Sequence, residues 1–172
     1  MTMGVGAARP LSPFGWLGIP IVITLVATVV LSTPMPFSFT LPQPVFPLAL
    51  AFAWALIRPS VLPPFVLLFL GLFLDVFWGG PQGLWPLCLL ATYAAVLAAR
   101  RLIMGQDLIM QAVWYAGAVA LAFLAGFTLM SMDAGEPISL VAVAWQYGWT
   151  LLLFPFARWL IVRYEDADVR FR

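Results

Sequence analysis

Five short breaks divide an otherwise continuously apolar chain into six hydrophobic stretches, and this pattern constrains the fold more than any other feature. An α-helix needs about 20 mainly apolar residues to cross a bilayer. The pattern therefore predicts an all-α integral membrane protein in which six transmembrane helices form one bundle. The breaks are residues 33–44, 58–63, 79–83, 100–107 and 131–137.

The eight arginines alternate with these breaks. They lie in the amino-terminal segment, in the second and fourth breaks, and in the last span and the tail, whereas the other three breaks hold no basic residue. Basic residues stay on the cytoplasmic side during membrane insertion, so this alternation predicts six spans with both termini in the cytoplasm. The arginines are Arg9, Arg58, Arg100, Arg101, Arg158, Arg163, Arg170 and Arg172.

Composition supports the membrane class. Hydrophobic residues make up 64% of the chain and charged residues 9%, whereas soluble domains carry about 25% charged residues. Six spans use nearly all of the 172 residues, so we expect a single transmembrane domain over 1–172, surrounded by membrane lipid. A net charge of +1 gives no case for binding nucleic acid. The expected spans are about 14–32, 45–57, 61–78, 84–99, 108–130 and 138–162.

Three spans have features of their own. The first has an apolar core longer than that of a signal peptide and no small-x-small cleavage site after it, so we expect a retained helix. The second, 45–57, is short for a bilayer, and we expect it to tilt little, to begin as a broken helix, or to be sheltered by its neighbours. In the sixth, Pro155 should bend the helix.

Small residues recur at every fourth position in the fourth and fifth spans. Such spacing makes a flat helix face on which two backbones approach closely. We therefore expect these two spans to pack against each other or against a helix of a partner. The residues are Ala91, Ala95 and Ala99 in the fourth span, and Ala118, Ala122 and Gly126 in the fifth.

Asp75 is the acidic residue that lies within a span, about one turn before the glycine-rich third break. A carboxylate in a transmembrane helix needs a partner or a wet niche. Three interpretations are open: it accepts N–H groups of the following turn, it contacts a partner protein, or it binds an ion or substrate. We expect Gly79, Gly80 and Gly83 to supply the positive φ angles that the turn requires.

Nothing in the sequence resembles an enzyme site. The chain has no histidine and no lysine, and Cys88 stands alone, so no nucleophile has an evident base and no metal-ligand spacing occurs. No second ionisable residue completes a path across the bilayer, which argues against a channel. We therefore expect no catalytic, cofactor-binding or metal-binding residues.

Residues 71–83, with an acid at the end of a span, a Gly-Gly-Pro-x-Gly turn and an apolar helix after it, resemble the rod-shape-determining protein family MreD. The chain length, the six-span hydropathy and the closing helix with Trp145, Trp149 and Pro155 are similar too. The motif that the resemblance assigns is Gly71, Asp75, Gly79, Gly80, Pro81 and Gly83.

This resemblance implies a non-enzymatic subunit of the machinery that elongates the bacterial cell wall, located in the inner membrane and needed for rod shape. The implied partner is an MreC-like single-span periplasmic protein. Through it, the implied associates are an MreB-like actin, a RodA-like glycosyltransferase and a class B penicillin-binding protein.

The family fold is similar to the S components of energy-coupling-factor transporters, which leaves a second function open: a vitamin-binding subunit of a transporter. Such a subunit needs polar and aromatic side chains around an outward pocket. Asp75, Gln82 and Trp85 are the candidates to line it.

Overall fold

The computed structural model describes residues 14–32, 43–57, 60–133 and 139–169, and these are helical apart from short connections, with no strand among them. The all-α prediction is confirmed. Arg9, Arg58, Arg170, Arg172 and segments 33–42 and 134–138 lie outside the described residues. The helices are α1 (Ile19–Ser32, preceded by a π-helical turn, Phe14–Gly18), α2 (Phe46–Ile57), α3 (Leu62–Trp78), α4 (Leu84–Ile103), α5 (Leu108–Asp133), α6 (Leu140–Leu151) and α7 (Phe154–Val169).

Four described helical stretches are long and apolar enough to cross a membrane: Gly15–Ser32, Leu84–Ile103, Leu108–Ser131 and Leu140–Tyr164. The protein is therefore a helical membrane protein. The two remaining helices, α2 with 12 residues and α3 with 17, are shorter. At about 1.5 Å per residue, α2 is only about 18 Å long.

The short helix α2 lies at the centre of the bundle, in contact with α1, α3, α4 and α7. Every residue from Pro47 to Ile57 is buried. A helix that is apolar all round is stable when protein covers all its sides. Its neighbours thus shelter α2, which was one of the three alternatives for this span.

The helix bundle has two ends, which we call the turn end and the arginine end. At the turn end, where the Gly79–Gly83 turn lies, the Trp78 indole N–H donates to the Ser32 hydroxyl at 3.4 Å. This contact joins the last residue of α3 to the last residue of α1.

The opposite end, the arginine end, holds the connections from α2 to α3 and from α4 to α5. There Arg100 Nε donates to the Leu56 carbonyl oxygen at 3.0 Å. The Tyr164 hydroxyl donates to the Gly15 carbonyl oxygen at 3.0 Å, so α7 contacts the π-helical turn that precedes α1.

The fourth helix extends further than the sequence indicates. The hydropathy pattern predicts a span of about 84–99 followed by a break at 100–107, whereas the helix α4 itself continues through Arg100 and Arg101 to Ile103. Arginine is a good helix former, and a cation in the last turn interacts favourably with the helix dipole. Its charge marks where the helix leaves the apolar layer, not where the helix ends.

The sixth apolar stretch is two helices. α6 ends at Leu151 and α7 begins at Phe154, because Pro155 cannot donate to the Leu151 carbonyl four residues earlier. At the break, the Thr150 carbonyl oxygen accepts two hydrogen bonds, from the Leu153 N–H at 3.1 Å and from the Tyr115 hydroxyl at 2.9 Å. The expected bend is thus a break that a tyrosine of α5 caps.

Candidate functional site

Asp75 joins the end of α3 to the start of α4. Its side chain is only 3% exposed. One carboxylate oxygen accepts the Gly83 N–H at 2.6 Å and the other accepts the Trp85 N–H at 3.0 Å. The first N–H groups of a helix have no partner within it, and the positive end of the helix dipole favours an anion there. Since Gly83 has no side chain with which to cap α4, Asp75 caps it from the preceding helix.

Of the three interpretations of Asp75, the structure shows contact with the following turn. Both carboxylate oxygens are used by backbone N–H groups. Charge-assisted hydrogen bonds of this kind satisfy a carboxylate inside a membrane bundle. The side chain therefore holds two helices in register.

Two of the three turn glycines are conformationally required. Gly79 ends α3 with φ +66° and Gly83 precedes α4 with φ +95°. Only glycine adopts such angles without strain. Gly80 is not in the left-handed region, and a Cβ there would meet no atom within 4 Å. The expectation for Gly80 is wrong, because the chain reverses at the two flanking glycines.

Gly71 permits the closest approach of α3 and α4. A Cβ at this position would lie 2.4 Å from the backbone nitrogen of Pro86 and 2.5 Å from its Cα. Gly71 precedes Asp75 by four residues, so both lie on the same face of α3. Their contacts, Trp85 and Pro86, are adjacent on α4. The sequence assigned Gly71 only through the family resemblance, and the structure gives it a steric reason.

We call these contacts of Gly71 and Asp75 with the start of α4 the joint. A chain of side-chain contacts extends from the joint across the turn end. The rings of Trp78 and Trp85 meet edge to face with centroids 5.0 Å apart. The Ser32 hydroxyl, which accepts from Trp78, donates to the Gln43 side-chain oxygen at 3.1 Å. Gln146 Nε2 donates to the Gln43 carbonyl oxygen at 3.2 Å. Sequence reasoning missed Ser32, Gln43 and Gln146. Ser32 and Gln43 lie beside or in the first break, where a polar residue is a usable signal, whereas Gln146 is a polar residue inside an apolar stretch.

A shallow pocket of about 460 Å³ lies beside the turn, between it and the end of α5. Gln82 lines it, as expected, but Asp75 and Trp85 do not. Asp75 is turned to the backbone of α4, and the Trp85 ring packs on Trp78. The pocket is lined by Pro81, Gln82, Gly83, Leu84, Leu87 and Leu129.

The small residues of α4 and α5 have unequal roles where these helices pack. On α5, Ala118 and Ala122 are buried. A Cβ on Gly126 would lie 3.5 Å from the Cys88 sulfur, which is ordinary contact. On α4, the residues Ala91, Ala95 and Ala99 are only half-buried, and larger side chains fill the buried face. That face is formed by Leu84, Pro86, Cys88, Leu89, Thr92, Tyr93, Val96 and Ile103.

The first helix has a buried face that sequence reasoning missed. Pro20, Thr24 and Thr28 are the buried residues of α1. Thr24 and Thr28 are small residues four positions apart, a spacing that lets helices approach closely. The Thr28 hydroxyl donates to the Thr24 carbonyl oxygen at 2.8 Å, which satisfies it within its own helix.

Comparison with known proteins adds no relative: no protein-family model, curated protein or solved structure matches the chain. Within the described part of the chain, no group of three His, Cys, Asp or Glu side chains is placed to hold a metal ion. The Asp75 carboxylate binds the backbone N–H groups of Gly83 and Trp85, so it fixes the start of α4.

Proposed function

We propose that the protein is an MreD-like, non-enzymatic subunit of the machinery that elongates the bacterial cell wall. The observation that supports this proposal is that residues of the motif contact each other's neighbours at one place, between α3 and α4. Gly71 lies against Pro86, Asp75 binds the Gly83 and Trp85 N–H groups, and all of these contacts join α3 to α4. Three residues of the motif, Gly71, Asp75 and Gly83, thus build one joint.

In this proposal the joint presents a rigid turn to a partner outside the inner membrane. Six spans with both termini in the cytoplasm place the arginine end inside and the turn end outside. Pro81 and Gln82 then face the periplasm beside the shallow pocket. An MreC-like protein docks there and links the bundle to an MreB-like actin, a RodA-like glycosyltransferase and a class B penicillin-binding protein.

A vitamin-binding subunit with the fold of energy-coupling-factor S components is the second candidate. The polar contacts among Ser32, Gln43 and Gln146 favour it, since they converge where the buried helix α2 begins. A site for a small polar molecule needs such groups on an otherwise apolar bundle. Retention of a vitamin by the purified protein would establish this candidate over the scaffold.

The test is complementation of a rod-shaped bacterium depleted of its own MreD-like protein, with co-purification of the MreC-like partner. The wild-type chain should restore rod shape. Asp75→Leu leaves two N–H groups without an acceptor, each at a cost of about 1–3 kcal/mol, and should abolish rescue and partner binding. Asp75→Asn keeps one acceptor oxygen and should be intermediate.

Gln106→Leu, at an exposed position of the opposite end, is the control and should keep its membrane abundance, rescue and partner binding. A wild-type chain that neither restores shape nor binds the partner would refute the proposed function. Full rescue by Asp75→Leu at normal abundance would instead show that the joint is dispensable for it.

A further inference from the structure

Arg158 of α7 is held in place by a neutral side chain of α5. Its Nη1 donates to Gln111 Oε1 at 2.8 Å. Gln111 is itself fixed, because it is only 9% exposed and its Nε2 donates to the Gln106 carbonyl oxygen at 3.1 Å. Gln111 lies in the first turn of α5, which places the Arg158 guanidinium at the level of the arginine end.

The positive charge of Arg158 is oriented but not neutralised. An amide oxygen accepts a hydrogen bond without carrying a formal charge. Asp107 lies one turn before Gln111, and its carboxylate accepts the Met110 N–H at 3.3 Å, at the start of α5. No carboxylate of the described residues forms an ion pair with Arg158. A guanidinium has five N–H donors, so four remain for a ligand.

The other described arginines at this end are used differently. Arg100 caps the carbonyl of Leu56, and Arg163 lies over the Trp159 ring at 5.7 Å from its centroid. Arg101 is exposed and makes no hydrogen bond or ion pair with the described part of the chain. Arg158 alone among these four combines a half-buried guanidinium with a side chain of another helix as its anchor.

We propose that Arg158 and Gln111 form a site for the phosphate of an anionic phospholipid in the leaflet at the arginine end. The planar guanidinium fork matches phosphate oxygens, and its charge complements theirs. The exposed side chain of Leu152, six residues before Arg158 and therefore on the bilayer side of it, offers contact to an acyl chain. Lipid is the chosen source because the ends of membrane helices lie at headgroup depth.

The experiment is native mass spectrometry of the full chain, purified in mild detergent with equal amounts of phosphatidylglycerol and phosphatidylcholine. The wild type should retain phosphatidylglycerol preferentially. Arg158→Gln should lower the bound phosphatidylglycerol about fivefold or more. The matched control Arg101→Gln removes the same charge from the same end and should leave binding unchanged. Excess inorganic phosphate should not displace the lipid.

Equal losses in both variants would overturn the site, since the attraction would then be a general effect of charge. Displacement by inorganic phosphate would overturn the lipid assignment. If Arg158→Gln does not fold, Gln111→Glu decides the matter, because its carboxylate pairs with the Arg158 guanidinium and should lower the bound phosphatidylglycerol. Undiminished binding in that variant, or a wild type without selectivity, overturns the proposal.

Discussion

Helices α2 and α6 have the same length, 12 residues, yet they lie in opposite environments. In α2 every residue from Pro47 to Ile57 is buried, whereas Thr150 is the one buried residue of α6. Both helices are apolar enough that a soluble protein would bury them. In this bundle, position rather than apolar character decides which of the two is covered by protein.

The polar side chains of α6 show why. Gln146 and Tyr147 donate to carbonyl oxygens of other segments, and Thr150 accepts the Val45 N–H at 3.2 Å. The aliphatic residues Leu140 and Val141 are exposed. Lipid tails are as apolar as leucine, so an aliphatic side chain gains little by leaving them, whereas a polar one needs a protein partner. α6 is thus oriented by its polar residues.

The largest expected effect separates two tryptophans. Trp54 of α2 is 0% exposed and Trp145 of α6 is 61% exposed. Trp54→Ala should lower the free energy of unfolding by about 3–5 kcal/mol through the cavity that it leaves. Trp145→Ala should change it by about 0.5 kcal/mol or less. Denaturation of the purified protein in detergent, followed by circular dichroism, measures both, and equal losses would contradict the difference between the helices.

A second comparison uses two helical glycines. A Cβ on Gly71 would lie 2.4 Å from the Pro86 backbone nitrogen, whereas a Cβ on Gly148 of α6 would meet nothing within 4 Å. Alanine raises helix propensity at both positions, so their difference isolates packing. Gly71→Ala should lower the unfolding free energy by about 1–3 kcal/mol, and Gly148→Ala should not lower it. If both variants unfold at the same denaturant concentration, α3 and α4 are further apart than the structure shows.

The smallest expected effect concerns two tyrosine hydroxyls. Tyr115 donates to the Thr150 carbonyl oxygen at 2.9 Å, and Tyr147 donates to the Ala116 carbonyl oxygen at 3.3 Å. Tyr115→Phe should cost about 0.6–1.7 kcal/mol, and Tyr147→Phe less, in line with hydrogen bonds between membrane helices. Hydrogen exchange of the Leu153 amide should rise only in the Tyr115 variant. A larger rise in the Tyr147 variant would remove Tyr115 as the cap of the break.

Features that depend on neighbours in sequence were accessible without the structure. The first three apolar stretches were placed within one residue of the helices Phe14–Ser32, Phe46–Ile57 and Leu62–Trp78. The contact of Asp75 with the turn is one of the three interpretations that the sequence leaves open. It is accessible without the structure because the carboxylate and the glycines lie close together along the chain. The position of the apolar stretches and of the turn between α3 and α4 follows from local composition, so the sequence by itself determined it, although α4 and the sixth stretch differ in where their helices end.

The tertiary structure alone decided which helix is central, that Gly71 meets Pro86, and that Gln111 holds Arg158. It also showed that the turn makes no special demand on Gly80. The physical reason is the solvent. In a membrane, faces toward lipid and faces toward protein are both apolar, so hydropathy does not tell them apart. The approach of two backbones and the partner of a polar side chain across helices depend on three-dimensional packing, which the apolar pattern leaves open.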